Sequence, residues 1–314
     1  MENNEVTIVY FGTPKFAETI LSQLIEANLK PQMVVTAPDR PIGRKQELTP
    51  PPVKVLAEKN EIPIVQPKKI DEDTTKKLQE LTPDLLIVAA YGKILPKNIL
   101  EIPKYGAINI HPSLLPKYRG PSPIHYAILE GDMITGTTII LMDEKMDHGP
   151  IISQAKIKIA ENDTTETLSN KLAYHGARLL EETIDPYIKG SLKPEAQNHS
   201  AASYTRMINR EDGRVDWQNS AQFIERQLRA FTPWPGIFTF WDKKRFKITS
   251  LSVLNEDENH NHQEGEVLPY NNVFAIQTGR GKIIPEKVQL EGKKEQPATD
   301  FLNGNPNIIE SVLK

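Results

Sequence analysis

The chain has 314 residues, enough for two domains, and its 38 Lys and Arg against 41 Asp and Glu give a formal net charge of −3. That balance excludes nucleic-acid binding through bulk charge, so any contact with RNA would depend on local basic patches. The lack of cysteine excludes disulfides, thiolate catalysis and Cys-ligated zinc, and short apolar runs without a signal-peptide pattern lead us to expect a cytoplasmic protein.

Strand and helix patterns alternate through the first two-thirds of the chain. Buried strands are predicted at 6–11, 33–36, 85–91, 107–110 and 137–142. Amphipathic helices are predicted at 15–29, 53–59 and 73–81, and a capping-box pattern begins a longer helix over 163–188. Strands that alternate with helices indicate a mainly parallel, Rossmann-like sheet with helices on both faces. Because such α/β sheets bind ligands at the carboxyl ends of their strands, we expect a site at that edge.

The pattern changes after a polar segment with Gly, Pro and Ser, which we interpret as a linker over residues 190–205. A helix is predicted at 220–229, and five short runs follow it, at 237–241, 246–254, 265–270, 273–278 and 282–290. Short strands separated by turns indicate a small OB-like β-barrel, with 255–263 as a solvated hairpin loop. We therefore predict an α/β domain over 1–189 and a barrel domain over 206–314.

The strand at 107–110 leads into the polar stretch NIHPSLLPKYRGPSP, residues 109–123. Asn109 and His111 are two residues apart, so their side chains share one face of an extended strand and can point toward one ligand. The residues alone equally allow a second interpretation, in which the two are structural polar groups with hydrogen-bond partners at a strand end. Pro112 then ends the strand, and the prolines and glycine that follow predict a stiff loop.

Asp147 stands in the turn DHGP, shortly after the strand at 137–142. The turn could return its carboxylate over the sheet edge, although aspartate in turns very often caps its own backbone. A metal hydrolase is a competing hypothesis, because several side chains are of types that bind metal ions: His111, His125, Asp143, Asp147 and His148. A nicotinamide site at Gly12 is disfavoured, since the second and third glycines of the dinucleotide motif are missing.

A basic loop with Pro and Gly, PDRPIGRK at residues 38–45, follows the strand at 33–36. One interpretation is an exposed, mobile loop, and the other is a clamp for phosphate or a nucleic-acid backbone. A further basic set in the barrel domain could gather on one side: Arg226, Arg229, Lys243, Lys244, Arg245 and Lys247. Through such local patches, a chain of this net charge could contact RNA.

Six segments together resemble the methionyl-tRNA formyltransferases in order and spacing: FGTPKFA, PDRPIGR, AYGKILP, INIHPSLLPKYRGPSPI, TGTTIILMDEKMDHGPI and RAFTPWPG. The resemblance covers essentially the whole chain. The NxHxSLLP block with a later Asp-x-Gly is typical of folate-dependent formyltransferases, and the PDRPxGR loop is typical of those that act on tRNA. Sugar-nucleotide formyltransferases, which share similar N-terminal blocks and the PWPG segment, stand as the alternative. A non-catalytic RNA-binding protein on this scaffold is a further hypothesis.

The resemblance implies transfer of the formyl group of 10-formyltetrahydrofolate to the amine of methionyl initiator tRNA, for translation initiation and without a metal. It implies that Asn109, His111 and Asp147 are catalytic, with Asn109 and a protonated His111 stabilising the oxyanion. The implied folate-binding positions are Ser113, Leu114, Leu115, Pro116 and the backbone of Ile94 and Leu95. Arg44 is the residue implied to reach the acceptor end of the tRNA, which the barrel domain would hold further along.

Two positions depart from the pattern of the family that the chain resembles. His148 stands where the family usually has threonine, and Pro112 stands where many relatives have glycine. The first departure leaves the carboxylate of Asp147 in place but alters the local hydrogen bonds, and the second removes one backbone N–H. Because no large exposed apolar patch is indicated, we expect a monomer.

Overall fold

The computed structural model describes residues 6–43, 46–254 and 262–314. The strands of its first half are β1 (Ile8–Gly12), β2 (Met33–Val35), β3 (Arg40–Ile42), β4 (Glu47–Thr49), β5 (Ile64–Val65), β6 (Leu85–Ala89), β7 (Ala107–His111), β8 (Ile134–Leu141) and β9 (Ile151–Lys158). Seven of them form one sheet in the order β5-β2-β1-β6-β7-β8-β9. The pairs from β5 to β7 are parallel, and β8 and β9 are antiparallel. The predicted mainly parallel sheet is confirmed.

Helices alternate with these strands. They are α1 (Lys15–Glu26), α2 (Pro52–Lys59), α3 (Glu72–Leu81), α4 (Lys97–Leu100), α5 (Pro123–Leu129) and α6 (Thr165–Ile188). The carboxylate of Asp71 caps α3 by accepting the N–H of Thr74 at 2.9 Å. α1 ends at Glu26, earlier than predicted, because Asn28 takes a left-handed φ of 61°. Among the described residues, no helix is long and apolar enough to cross a membrane.

The sheet is buried on both faces around its central strands. β1 and β6 are buried along their whole length, as expected for parallel strands covered by helices on both sides. On one face, the side chains of Val9, Phe11, Leu86 and Val88 cluster with Leu78 of α3. Each fully buried side chain of this kind stabilises the fold by about 1.5–3 kcal/mol, so this cluster contributes strongly to the stability of the strands that lead to the site.

The predicted basic loop after β2 forms a short hairpin. β3 and β4 pair antiparallel on either side of residues 44–45. The carboxylate of Asp39 anchors the base, because Gln66 Nε2 and Lys54 Nζ each donate to it at 2.8 Å. The hydrogen bonds from Gln66 and Lys54 lower the pKa of Asp39. Arg44, the residue implied to reach the tRNA, lies outside the described residues.

The second half of the chain carries a separate antiparallel sheet. Its elements are α7 (Ala221–Ala230), β10 (Ile237–Trp241), β11 (Lys244–Leu254), β12 (Val267–Tyr270), β13 (Val273–Gln277), β14 (Lys282–Leu290), β15 (Gln296–Pro297) and α8 (Ala298–Gly304). The strand order is β10-β11-β14-β13-β12, with β15 beside β14. Lys314 exchanges backbone hydrogen bonds with Phe240 of β10, and Ser311 accepts one from Val267 of β12. The C-terminal residues thus join both edges and close the predicted barrel.

The chain divides into two compact units. The first falls within Met1–Pro123, Met133–Ile159 and Thr167–Arg206, and the second within Ile124–Asp132, Ala160–Glu166 and Met207–Lys314. Short 3-10 helices lie at His199–Ala201, Arg210–Gly213 and Pro306–Ile308. Residues 190–205, interpreted above as a linker, are part of the first unit, and the predicted domain boundaries stay predictions. Most of the loop predicted at 255–263 lies outside the described residues.

Candidate active site

The end of β7 presents two polar side chains on the same side of the strand. Asn109 pairs with Ile140 of β8, and His111 pairs with Thr138. His111 is 4% exposed, and Asn109 is half-buried. Asn109 Nδ2 lies 3.4 Å and His111 Nδ1 lies 3.5 Å from the same atom, Oδ1 of Asp147. The two-residue spacing therefore directs both side chains to one point, where a third group meets them.

Asp147 reaches that point because the turn after β8 folds back onto the strand. A Cβ atom on Gly149 would lie 1.9 Å from the carbonyl oxygen of Leu141, so only glycine permits this approach. The Asp147 carboxylate is 12% exposed, and its Oδ2 accepts the N–H of Gly120 at 2.7 Å. Oδ1 is left to face the end of β7. The Asp147 carboxylate therefore links the turn after β8 to the loop after β7, through the hydrogen bond from Gly120.

One backbone carbonyl sets the orientation of His111. Nε2 of the ring lies 2.9 Å from the carbonyl oxygen of Tyr118. A carbonyl can only accept, so Nε2 carries a proton, and Nδ1 is the nitrogen that faces Asp147. Since the N–H of Gly120 holds Asp147, the backbone of residues 118–120 orients both groups at once.

The loop after β7 is held by two side chains from neighbouring strands. Thr138 Oγ1 donates to the carbonyl of Ser113 at 2.6 Å and accepts the N–H of Leu115 at 3.1 Å. Gln154 Nε2 donates to the carbonyl of Leu115 at 3.0 Å. Among the implied folate-binding residues of this loop, Ser113 and Leu115 are buried, and Leu114 and Pro116 are half-buried. Leu114 and Pro116 are therefore the two of these four residues that keep some exposure to solvent.

The segment after β6 holds the other two implied folate positions. Ile94 is 75% exposed, whereas Leu95 is 2% exposed and packs in the core. Lys93 Nζ anchors the segment by donating to the carbonyl of Pro67 at 2.5 Å. β6 and β7 are adjacent parallel strands, so this segment and Asn109 lie at the same edge of the sheet.

Two family models match the chain. Residues 5–184 match the formyl transferase model, and residues 207–306 match the formyl transferase C-terminal domain model. The chain belongs to the formyltransferase family. Its relatives include the methionyl-tRNA formyltransferase of Citrifermentans bemidjiense, 42% identical over 95% of this chain and 93% of that protein. The methionyl-tRNA formyltransferase of Halalkalibacterium halodurans is 44% identical, and the match covers 95% of this chain and 94% of that protein.

A solved structure has the same fold as this formyltransferase. The N-formyltransferase from Helicobacter canadensis, in complex with folinic acid and dTDP-3-aminofucose, aligns with a TM-score of 0.66. The alignment covers 89% of this chain and 98% of that one, at 23% identity, and such a likeness shows the fold alone. With both family models matched, the predicted formyltransferase scaffold is confirmed.

The side chains of metal-binding type form separate pairs in this formyltransferase. His148 Nδ1 lies 2.6 Å from Asp143 Oδ2, while His111 faces Asp147. His125 lies in the second unit. In the part of the chain that the structure describes, no group of three or more His, Cys, Asp or Glu side chains is placed to hold a metal ion.

Several groups that hold the candidate active site could not be predicted from the sequence. Tyr118 and Gly120 act through backbone atoms, so their side-chain types say nothing of the role, and the composition of the loop predicts only a turn. Gln197 Nε2 donates to the carbonyls of Asp147 and Gly149 at 2.9 and 2.7 Å. Gln197 falls in the segment interpreted as a linker, where no motif marks it. The roles of Asn109, His111 and Asp147 stay predictions, now with a shared geometry.

Proposed function

We propose that this formyltransferase moves the formyl group of 10-formyltetrahydrofolate to the α-amine of methionyl initiator tRNA, for translation initiation. The proposed chemistry rests on one observation: the amide of Asn109 and the imidazole of His111 both face Oδ1 of the Asp147 carboxylate. The choice of acceptor is supported by relatives named methionyl-tRNA formyltransferase, which match 95% of the chain. We also propose a monomer that acts in the cytoplasm.

Formyl transfer requires stabilisation of the charge that develops on the formyl oxygen as the amine adds to the carbon. Asn109 can donate to that oxygen from its amide, and His111 can donate from Nδ1 when this nitrogen carries a proton. Because Nε2 is bound to the carbonyl of Tyr118, Nδ1 is the ring atom available for the reaction. A donor of this kind commonly lowers the barrier by about 3 kcal/mol.

Proton transfer is the second requirement of the reaction. The attacking amine must lose a proton, and the folate nitrogen that leaves must gain one. The N–H of Gly120 holds Oδ2 of Asp147 at 2.7 Å, so Oδ1 stays directed at the site and can carry that proton, directly or through a water molecule. The attacking amine must be neutral, so we expect the rate to fall at low pH.

The proposed substrate-binding positions rest on the resemblance to the family, and the positions of residues 94–95 and 113–116 after neighbouring strands support those proposed for the folate. Ile94, Leu95 and residues 113–116 would hold the folate at the carboxyl ends of β6 and β7, so that the formyl carbonyl meets Asn109. The β3–β4 hairpin would carry Arg44 to the acceptor end of the tRNA. Both binding roles are proposals that substitution at these positions can test.

The basic residues of the barrel unit are not equivalent. Arg229 Nε lies 2.6 Å from a carboxylate oxygen of Glu225, and Arg226 Nε donates to a backbone carbonyl of the same unit at 2.9 Å. Lys243 and Lys244, at the turn between β10 and β11, are exposed. We propose that these two lysines, more than the arginines of α7, supply phosphate contacts of this unit to the tRNA.

The test is a formylation assay with purified protein and 10-formyltetrahydrofolate, in which the acceptor is varied. We expect transfer to methionyl initiator tRNA, less transfer to a methionyl elongator tRNA, and none to an amino-sugar nucleotide. Asp147→Asn, assayed in parallel, controls for a contaminating enzyme. Transfer to the amino-sugar nucleotide in place of the tRNA would overturn the proposed acceptor while keeping the scaffold's chemistry.

A further inference from the structure

The segment 195–205 of the first unit is hydrogen-bonded to the start of β9 near one end and to the loop after β7 near the other. Glu195 exchanges backbone hydrogen bonds with Ile151 of β9 at 2.7 and 2.8 Å. The N–H of Arg119 donates to the carbonyl of Ser203 at 2.9 Å, and the N–H of Thr205 donates to the carbonyl of Arg119 at 2.7 Å. Although the matched N-terminal family model ends at residue 184, this later stretch is therefore part of the site.

The amide of Gln197 connects this segment to the turn that carries Asp147. Gln197 is 5% exposed. Its Nε2 donates to the backbone carbonyl of Asp147 at 2.9 Å and to that of Gly149 at 2.7 Å. Both N–H groups of the amide are used in this way, so Gln197 holds the turn at two points, on either side of residue 148.

Arg119 decides which way the Gln197 amide faces. The Arg119 side chain is buried, with 1% of the residue exposed, and its Nε and Nη2 donate to Gln197 Oε1 at 3.2 and 2.7 Å. A guanidinium has donors only. A flipped amide would place N–H groups against the guanidinium and an oxygen against two carbonyls. The nitrogen of Gln197 is therefore fixed toward the turn.

Arg119 is itself held by other groups. Nη2 donates to Nδ1 of His199 at 2.9 Å, and Nη1 donates to the hydroxyl of Tyr204 at 3.3 Å. Its two neighbours in the chain, Tyr118 and Gly120, use their backbone to hold the imidazole and the carboxylate of the site. Hydrogen bonds thus fix the catalytic aspartate from two directions, at its side chain and at its backbone.

We infer that Gln197, oriented by Arg119, is a positioning residue for the transfer of the formyl group. It acts by holding the backbone of Asp147 so that the carboxylate stays in reach of Asn109 and His111. The inference rests on the proposed function, in which Asp147 is catalytic. Loss of the Gln197 amide would leave two carbonyls of the turn without their donor, and a misplacement of about 1 Å at a reacting group can lower the rate by about 100-fold.

A double-mutant cycle tests this role. Gln197→Glu keeps the shape and an acceptor for Arg119 but removes both donors to the turn. We expect kcat with methionyl initiator tRNA to fall by about 10- to 100-fold, and the KM for the folate donor to stay within about threefold. In an Asp147→Asn background, Gln197→Glu should lower kcat by less than about threefold, because the carboxylate that Gln197 positions is already absent. Gln79→Glu, an exposed change of α3 with the same charge difference, is the matched control and should keep the kcat of the unaltered protein.

The cycle distinguishes positioning from general support of the fold. An equal loss in both backgrounds, or an unchanged kcat in a folded Gln197→Glu protein, would overturn the inference. Melting temperatures accompany each variant, and if Gln197→Glu fails to fold, Gln197→Met enters the same cycle without a buried charge and with the same expectation. If the unaltered protein does not formylate methionyl-tRNA, the proposed acceptor fails separately, and the cycle runs with the amine that the protein does formylate.

Discussion

Replacing Gly149 with alanine tests whether the placement of the Asp147 turn sets the rate. The new Cβ would lie 1.9 Å from the carbonyl oxygen of Leu141, and Cβ atoms essentially never approach closer than 3.0 Å. The turn or the strand must therefore shift by at least about 1.1 Å. The obstructing atom belongs to the backbone of β8, which is paired with β7 over residues that include Leu141, so we expect the turn to move.

A shift of this size breaks the geometry of the site. Asn109 Nδ2 and His111 Nδ1 lie 3.4 and 3.5 Å from Oδ1 of Asp147, and about 1 Å more would leave both beyond hydrogen-bond range. Misplacement by about 1 Å can cost about 100-fold in rate, so kcat of Gly149→Ala should fall by about that factor. Residues 113–116 belong to a different loop, so the KM for the folate donor should change little.

The assay is steady-state formyl transfer to methionyl initiator tRNA, with the melting temperature measured on the same preparations. Gly304→Ala is the matched control, because a Cβ at that position meets nothing within 4 Å, and its kcat should equal that of the unaltered protein. A folded Gly149→Ala protein that retains kcat within about threefold would refute the argument that the turn positions the carboxylate.

Three further predictions concern single side chains. Asn109→Ala should lower kcat by about 100- to 1,000-fold with a modest change in folate affinity; weak folate binding with normal turnover at saturation would contradict the assignment. Asp147→Asn keeps an acceptor for the N–H of Gly120 but loses the charge, and should lower kcat by about 100- to 10,000-fold without lowering the melting temperature. Burial lowers the pKa of His125, which means that the folded protein favours the neutral imidazole. The stability that this neutral form contributes is complete above about pH 6.5 and is lost as the pH falls through the lowered pKa. His125→Gln should flatten the dependence of the unfolding free energy on pH below about 6.5, as denaturant melts at several pH values would measure; an unchanged slope would show that His125 does not contribute.

Apolar periodicity predicted the elements that form the core. β1 and β6 are continuous apolar runs that are buried throughout, and the short alternating runs of the second half became the barrel strands. β9 was not predicted. It lies at the edge of the sheet, with half-buried and exposed residues along most of its length, so it lacks the continuous apolar run that marks β1 and β6. The β3–β4 hairpin was not predicted either, because its strands have three residues each and β4 is mostly exposed.

The site was predictable where its geometry is local. The spacing of Asn109 and His111 places them on one face of a strand, whatever the rest of the chain does. Asp147 comes from a turn that Gly149 folds onto β8, and the residues alone could not separate that arrangement from simple turn capping. The resemblance to a family supplied Asp147. It did not supply Gln197, which is 50 residues further along the chain and acts on the backbone, where residue type leaves no pattern.

The departure at His148 shows how a changed residue can leave the neighbouring carboxylate in place. Its ring stacks on that of His199, with centroids 4.1 Å apart and 4° between the planes. His199 in turn accepts a hydrogen bond from Arg119 at 2.9 Å, and Arg119 orients the amide of Gln197 that holds the Asp147 backbone. Another contact of the His148 ring is with Asp143, whose Oδ2 lies 2.6 Å from Nδ1. None of these ring contacts is with the Asp147 carboxylate, and Gln197 holds the backbone carbonyls of residues 147 and 149, on both sides of position 148. We therefore expect that residue 148 can change its side-chain partners without moving the carboxylate of Asp147, because Gln197 holds the backbone on both sides of it.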